Sequence, residues 1–353
     1  MKFKEITISG TPYERGLAYG QQCKEEIGIS IAVYTMLFDG LKGIAWENAR
    51  KIAQRYLDLT RDFEADYAEE MRGIADGANV DILDIAALNA RTEIMFSKPE
   101  GADAQECTTL SLLPPATKDG RVIAAQNWDF SALLCPCIVI VHYRQEEKPN
   151  FMMVAEAGMI GGIGMNDCGI AVMLNALRAT APCQGIPLRA RMRAMLEAEN
   201  LNNAYVRGSH APVSVANLIA THKDGVAIAF EMDSETVEPM IPEGGALLHT
   251  NHYLGPKMYL AHDCNHMGSS YIRLQRVRAL VNAHHGEITV ETVKDILCDH
   301  AGYPRAICTH EYMKDAPVMR DATNFAIIMD LTDNCIYLAP GNPCENAFEK
   351  YDV

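Results

Sequence analysis

Apolar residues follow two rhythms along this chain. Up to about residue 95 they recur at helical spacing, and from residue 107 onward they gather into short, nearly continuous runs of strand length. Residues 6–27 read as a strand, a turn and the start of a helix. Thr11 sits before Pro12 at the first helical position, and Leu17, Gly20 and Cys23 follow in phase. Residues from about 45 to 95 are predicted helical, with Asp81 and Asp84 offering a capped start and Ile82, Ile85, Ala86 and Leu88 a face for burial. Residues 97–105, with Pro99, Gly101 and several small or acidic side chains, break that pattern and are expected to form a loop.

The strand-like runs are 108–113, 122–129, 137–143, 151–155, 170–174, 226–231, 325–330 and 336–338. Several are apolar almost throughout, as expected of strands covered on both faces. Two helices interrupt them: residues 187 to about 199, opened by Pro187, and 289–300, opened by Thr289 with Gly302 just past its end. Helices first, then two strand-rich blocks around a helical middle, fit a sandwich of two sheets with helices outside.

The first two runs frame the candidate chemistry. Cys107 opens one, and Asn127-Trp128-Asp129 closes the next after a turn region of Pro114-Pro115 and Asp119-Gly120. Pairing them across that turn brings Cys107 and Asp129 together. Composition narrows the options. A net charge of −15 argues against nucleic acid, whose phosphates need a basic face. The charged start Met1-Lys2-Phe3-Lys4-Glu5 and the strand-sized apolar runs lead to the expectation of a cytoplasmic protein with no membrane partner. The chain's eleven cysteines are an odd number and scattered, as expected of buried free thiols. Cys135-Pro136-Cys137 lacks metal-site spacing, and so do His249 and His252. No metal or organic cofactor is implied.

No cysteine–histidine pair with papain-type spacing stands out, which leaves a different chemistry open. A cysteine at a chain terminus carries its own base, because an α-amine has a pKa near 8 and is partly neutral at pH 7. Cleavage between Glu106 and Cys107 by an N-to-S acyl shift would create that terminus and leave chains 1–106 and 107–353, together one folded unit.

The sequence resembles the penicillin acyltransferase family of N-terminal-nucleophile hydrolases. The motifs run in order: Gly10-Thr11-Pro12-Tyr13-Glu14-Arg15-Gly16 with Gly20; Cys107-Thr108-Thr109; Gln126 to Phe130; Gly161 to Asn166, then Gly169 to Val172 and Asn175; Thr250-Asn251-His252; Gly302-Tyr303-Pro304 with Ile307-Cys308; and Thr323 to Leu331 with Gly341-Asn342-Pro343. One departure is Glu106, where the family often has glycine. The resemblance implies an α+β fold, the four-layer αββα sandwich. It implies Cys107 as nucleophile, Asp129 at the catalytic centre and Asn251 as oxyanion donor, worth about 3–4 kcal/mol of barrier. Related bile-salt hydrolases add Asn175 near the nucleophile. Trp128 reads as core, Gly158 to Gly164 as a tight turn, and Arg273, Arg320 and His310 as mainly solvated polar residues.

The function this implies is a self-processing amidohydrolase or acyltransferase, acting through a cysteinyl acyl-enzyme on a small acylated amine or acyl thioester. The two fragments of one precursor are its partners, and a homo-oligomer is left open. Three alternatives remain: an unprocessed binding protein on the same fold, a bile-salt-hydrolase-like amidase, and a Cys/His metal-binding protein carrying stoichiometric zinc.

Overall fold

The helix-starting signals of the first third act as read. The computed structural model describes residues 2–96, 106–177, 184–210, 214–233, 235–261 and 269–353; the loop expected at 97–105 lies outside them. After β1 (Lys4–Ile8) come α1 (Pro12–Gln22), α2 (Lys24–Lys42), α3 (Trp46–Phe63), α4 (Ala65–Ala78), α5 (Ile82–Asn89) and α6 (Arg91–Met95). Thr11 and Glu14 form a full capping box at α1, and Asp81 and Asp84 form one at α5. Helices α1 and α4 meet through glycines. A Cβ on Gly16 or Gly20 would lie 2.1 or 2.2 Å from the carbonyl oxygens of Glu70 and Ile74, so only glycine lets the backbones approach so closely.

All eight predicted strands are present. The first two are β2 (Glu106–Leu112) and β3 (Ile123–Ser131), followed by β4 (Ile138–Tyr143), β5 (Phe151–Glu156), β6 (Ile163–Asn166) and β7 (Ile170–Asn175). Then come α7 (Leu188–Leu196), α8 (Leu201–Ser209), β8 (Ala216–His222), β9 (Val226–Met232), β10 (Val237–Met240), β11 (Ala246–His249), α9 (Pro256–Ala261), α10 (Ser270–Ala283), α11 (Val290–Leu297), β12 (Asp321–Asp330), β13 (Cys335–Pro340) and β14 (Glu349–Asp352). Pattern reading missed α2, α8, α9, α10, β6, β8, β10, β11 and β14; the glycine-rich stretch read as a tight turn ends in β6, which begins at Ile163. Strands β10, β11 and β14 are four residues each, too short for alternation to register.

Two sheets result: β1-β4-β5-β6-β7-β8-β9-β10 and β11-β2-β3-β12-β13-β14. Strands β4, β5 and β7 are buried at every position, as their unbroken apolar runs predicted. One face of the six-stranded sheet, through Ala124, Trp128, Phe325 and Ile327, joins a core shared with the eight-stranded sheet and the helices beyond it. Its other face, through Leu110, Leu112, Ile123, Ala125, Ala326 and Ile328, packs on Leu274, Val277 and Val281 of α10 and Val293, Ile296 and Leu297 of α11. The layers are therefore helix, sheet, sheet, helix: the αββα sandwich. No single described helix is long and apolar enough to cross a membrane; α2 and α3 pass such a test only as a pair, bent by 100° at their junction.

Candidate active site

The site begins with strand register. In the β2–β3 pair Glu106 lies opposite Asp129 and Cys107 opposite Trp128. Side chains then alternate along β2. Leu110 and Leu112 face the outer helices, whereas Thr109 and Ser111 reach the eight-stranded sheet, bonding Asn175 and Thr221 at 2.8 and 2.6 Å. Cys107 shares that inward face and is fully buried in the common core.

Both backbone ends of Cys107 are held by side chains. Its N–H donates to Asn251 Oδ1 at 2.6 Å. Its carbonyl oxygen accepts from Arg273 Nη1 at 2.7 Å and from Asn175 Nδ2 at 3.3 Å. Asn175 ends β7, and its own oxygen accepts from Thr109 Oγ1 and from Asn217 Nδ2 at 3.1 Å, which fixes its amide toward Cys107. Asn251 follows β11, whose pairing of His249 with Thr109 delivers the turn to the start of β2. Ser270 Oγ holds the Asn251 N–H at 2.7 Å.

Asn251 is where the sequence placed it but turned differently. Its oxygen faces Cys107, and its Nδ2 donates to the Ala176 carbonyl at 3.1 Å. The reason is Arg273 Nη2, which donates to the same Oδ1 at 2.9 Å; guanidinium has no acceptor, so only the oxygen satisfies it. The side-chain donors aimed at the Cys107 carbonyl are instead Arg273 and Asn175.

Arg273 corrects the sequence reading. Expected in solvent, it is fully buried, bonding Cys107, Asn251, Thr108 Oγ1 at 3.1 Å and Ser269 Oγ at 2.9 Å. The signal was in the sequence: Arg273, Val277 and Val281 recur at helical spacing on the buried face of α10, an arginine inside an apolar stripe. Arg320 bonds the carbonyls of Asp315 and Met313 within its own loop, at 3.0 and 3.4 Å.

Asp129 sits beside Cys107 through its backbone: its carbonyl accepts from the Cys107 thiol at 3.8 Å. By alternation its carboxylate shares a side of β3 with Asn127, whose Nδ2 reaches the Leu297 and Ile307 carbonyls in the helical layer. There the carboxylate accepts from Thr323 Oγ1 at 2.6 Å and Thr309 Oγ1 at 3.2 Å. Trp128 is core, as expected. Its indole N–H donates to Glu156 at 3.2 Å, and Arg91 and Arg189 lie over its ring.

The electrostatics keep the Cys107 thiol neutral. Burial first, then the Asp129 charge, push Cys107 up to about 12, against the pull of Arg273 and Gln126. His252, stacked on Tyr271 and bonded to Ser270 Oγ at 2.7 Å, is driven down to about 4 by burial and by the nearby His249 and Arg273. A buried apolar cluster of Phe96, Leu177, Val215, Tyr253 and Met258 stands separate from the main core; Leu177 follows Ala176 in the chain and Tyr253 lies two residues after Asn251.

A two-sheet sandwich with polar side chains gathered on one buried cysteine is a frame for acyl chemistry, and sequence relatives agree. The chain belongs to the acyl-coenzyme A:6-aminopenicillanic acid acyl-transferase family, whose model matches residues 116–345. It is 29% identical over 332 residues to the 40 kDa form of acyl-coenzyme A:6-aminopenicillanic-acid-acyltransferase of Emericella nidulans, covering 92% of this chain and 89% of that protein. An uncharacterized protein of Archaeoglobus fulgidus is 24% identical over 345 residues, 82% of this chain and 56% of that one. Among solved structures, a variant of the conjugated bile acid hydrolase from Clostridium perfringens is similar at TM-score 0.48 and 13% identity, covering 70% of this chain and 97% of that one. Penicillin V acylase from Agrobacterium tumefaciens is similar at TM-score 0.39 and 10% identity, covering 68% and 76%. The family match begins after Cys107, so the role of that cysteine rests on its surroundings.

Proposed function

We propose that this enzyme is made as a precursor that cuts itself between Glu106 and Cys107, and that the freed cysteine then catalyses amide hydrolysis or acyl transfer. The observation that carries this reading is the capture of Cys107 from both ends. Asn251 Oδ1 holds the nitrogen that would become the catalytic amine, while Arg273 and Asn175 hold the adjoining carbonyl. Any buried backbone needs partners; what sets this position apart is that side chains from three other parts of the fold supply them, Asn251 after β11, Arg273 of α10 and Asn175 of β7.

In the first step the Cys107 sulfur adds to the Glu106 carbonyl carbon. The C–N bond breaks, the leaving nitrogen takes a proton, and a thioester forms. Water then splits the thioester, leaving a carboxylate on Glu106 and an amine on Cys107. In the second reaction that amine, with a pKa near 8, accepts the thiol proton as sulfur attacks the substrate carbonyl. Asn251 Oδ1 stays as acceptor for the amine and orients its lone pair. The amide N–H of Asn175, which points at Cys107, is assigned as a donor for the developing oxyanion. Arg273 supplies fixed positive charge beside both.

The two fragments are expected to remain one body, because buried bonds cross the cut. Strand β1 pairs with β4, and Glu70 of the first fragment bonds Arg193 of the second at 2.8 Å. Denaturing mass measurement of wild type and Cys107→Ala tests the proposal. Chains 1–106 and 107–353 are expected from wild type, and one intact chain from the variant. A fully active uncut wild type would falsify it.

A further inference from the structure

Outside the Cys107 site, four potential ligands converge where the 299–310 loop meets the turn after β13. His300, Cys308, His310 and Cys344 each turn one donor atom inward, and the four atoms all lie within 4.8 Å of one another. We propose that these residues bind one zinc ion in a closed tetrahedral site of structural type.

The geometry carries this. Zinc–sulfur bonds of about 2.3 Å and zinc–nitrogen bonds of about 2.0–2.1 Å in a tetrahedron give edges of about 3.8 Å for S–S, 3.6 Å for S–N and 3.3 Å for N–N. Here Cys308 Sγ and Cys344 Sγ are 3.6 Å apart. His310 Nε2 lies 3.6 Å from Cys308 Sγ and 3.4 Å from Cys344 Sγ. The two histidine Nε2 atoms are 3.1 Å apart. Four edges thus match a zinc-sized centre. The sulfurs are too far apart for a disulfide, whose S–S bond is about 2.05 Å.

The surroundings fit as well. Asn342 Nδ2 points at Cys308 Sγ from 3.4 Å while bonding the Thr309 carbonyl at 2.7 Å, a donor suited to a bound thiolate. Glu345 Oε1 stands 3.9 Å from His310 Nδ1, the ring nitrogen turned away from the cluster. Cys308 is buried, whereas His300 and Cys344 are exposed, so an ion has a way in. Two thiolates balance the charge of Zn²⁺, and two imidazoles complete a Cys₂His₂ set with no open position for substrate.

The site would act at a distance from the chemistry. It joins the 299–310 loop to the C-terminal turn and so fixes Thr309, which stands between two of the ligands. Thr309 Oγ1 in turn donates to the Asp129 carboxylate, while its N–H donates to Thr323 Oγ1 and its carbonyl accepts from the Thr323 N–H. Zinc is therefore expected to act as a positioning clamp behind β3. The sequence reading kept zinc only as an alternative and assigned no ligands, because Cys344 lies far along the chain from His300, Cys308 and His310, and only Cys308-x-His310 is local.

The test uses full-length, tag-free protein purified under reducing conditions. Elemental analysis is expected to find about one zinc per chain. The Cys308→Ser/Cys344→Ser protein should lose that zinc while keeping its circular dichroism spectrum, and Asn342→Ala should weaken zinc binding about tenfold. Cobalt exchanged into wild type should give tetrahedral ligand-field bands and a thiolate charge-transfer band. Any of three results overturns the proposal: wild type metal-free even after incubation with excess zinc, zinc content unchanged in the double cysteine variant, or cobalt bound without the thiolate band.

Discussion

Arg193 and Arg273 are both fully buried, and they differ in what their guanidinium groups touch. Arg193, on α7, meets carboxylates: Glu70 at 2.8 and 3.0 Å, and Glu197 at 2.8 Å. Tyr67 and Tyr143 complete that network by donating to Glu197 and Glu70. Charge is compensated within the helical layer, and the result is cohesion between α4, α7 and β4. The bonds of Arg273 to Cys107, Thr108, Asn251 and Ser269 all end on neutral oxygens. Two of those oxygens belong to the Cys107 site itself: its own carbonyl, and Asn251 Oδ1, which accepts from the nitrogen of the bond proposed to break. Burial alone therefore does not mark a functional arginine; direct bonds to the backbone of the candidate nucleophile and to the side chain that holds its nitrogen do.

The sharpest way to break this contrast is to remove each charge. Arg273→Met is expected to reduce self-cleavage and turnover by about a hundredfold or more, by loss of a preorganised donor. Arg193→Met is expected to cost about 3–5 kcal/mol in urea unfolding, because Glu70 and Glu197 lose their buried partner, while kcat of the folded fraction stays close to wild type. Equal effects of the two changes on kcat would remove the distinction.

Next in size is the pair of asparagines. Asn175→Ala is expected to lower kcat by about 10²–10³, with little change in KM, since the donor acts on charge that develops in the transition state. Asn251→Asp keeps the oxygen that faces Cys107 and loses the bond to Ala176, so it should retain more activity than Asn251→Ala. Steady-state kinetics on processed protein decide the order.

The smallest expected effects concern pH. His252 is held down at about 4 in the fold, against about 6.5 in an unfolded chain, so its contribution to stability is full above pH 6.5 and is lost as pH falls toward 4. Glu197 is held at about 2: burial opposes this, but Arg193 and Lys148 prevail. Its contribution is full above about pH 4.3 and disappears as pH falls toward 2. Acidification should therefore loosen the surroundings of Asn251 before the Arg193 network. Histidine resonances followed by NMR, alongside far-ultraviolet circular dichroism, would show the two windows.

Much of the frame was legible beforehand. Local signals were sufficient where the physics is local. Thr11 with Glu14 and Asp81 with Asp84 cap helices because a side chain three residues away can reach a free N–H. Unbroken apolar runs marked strands β4, β5 and β7 because both of their faces are covered. The hairpin of β2 and β3 followed from two such runs and a turn, and it placed Cys107 against the Asp129 strand.

Other features have no local signature. The direction in which Asn251 turns its amide depends on Arg273, 22 residues further along. The meeting of Cys308 with Cys344 depends on two strands lying between them. The outward turn of the Asp129 carboxylate, away from the cysteine it was expected to assist, depends on hydroxyls from Thr309 and Thr323. Periodicity and capping act over a few residues, and the sequence alone determined eight apolar strands, the capped helices, the hairpin and the candidate cysteine. Partner choice for a buried polar group is settled by whichever donor or acceptor the fold brings within about 3 Å, and only the tertiary structure decided which residues hold Cys107.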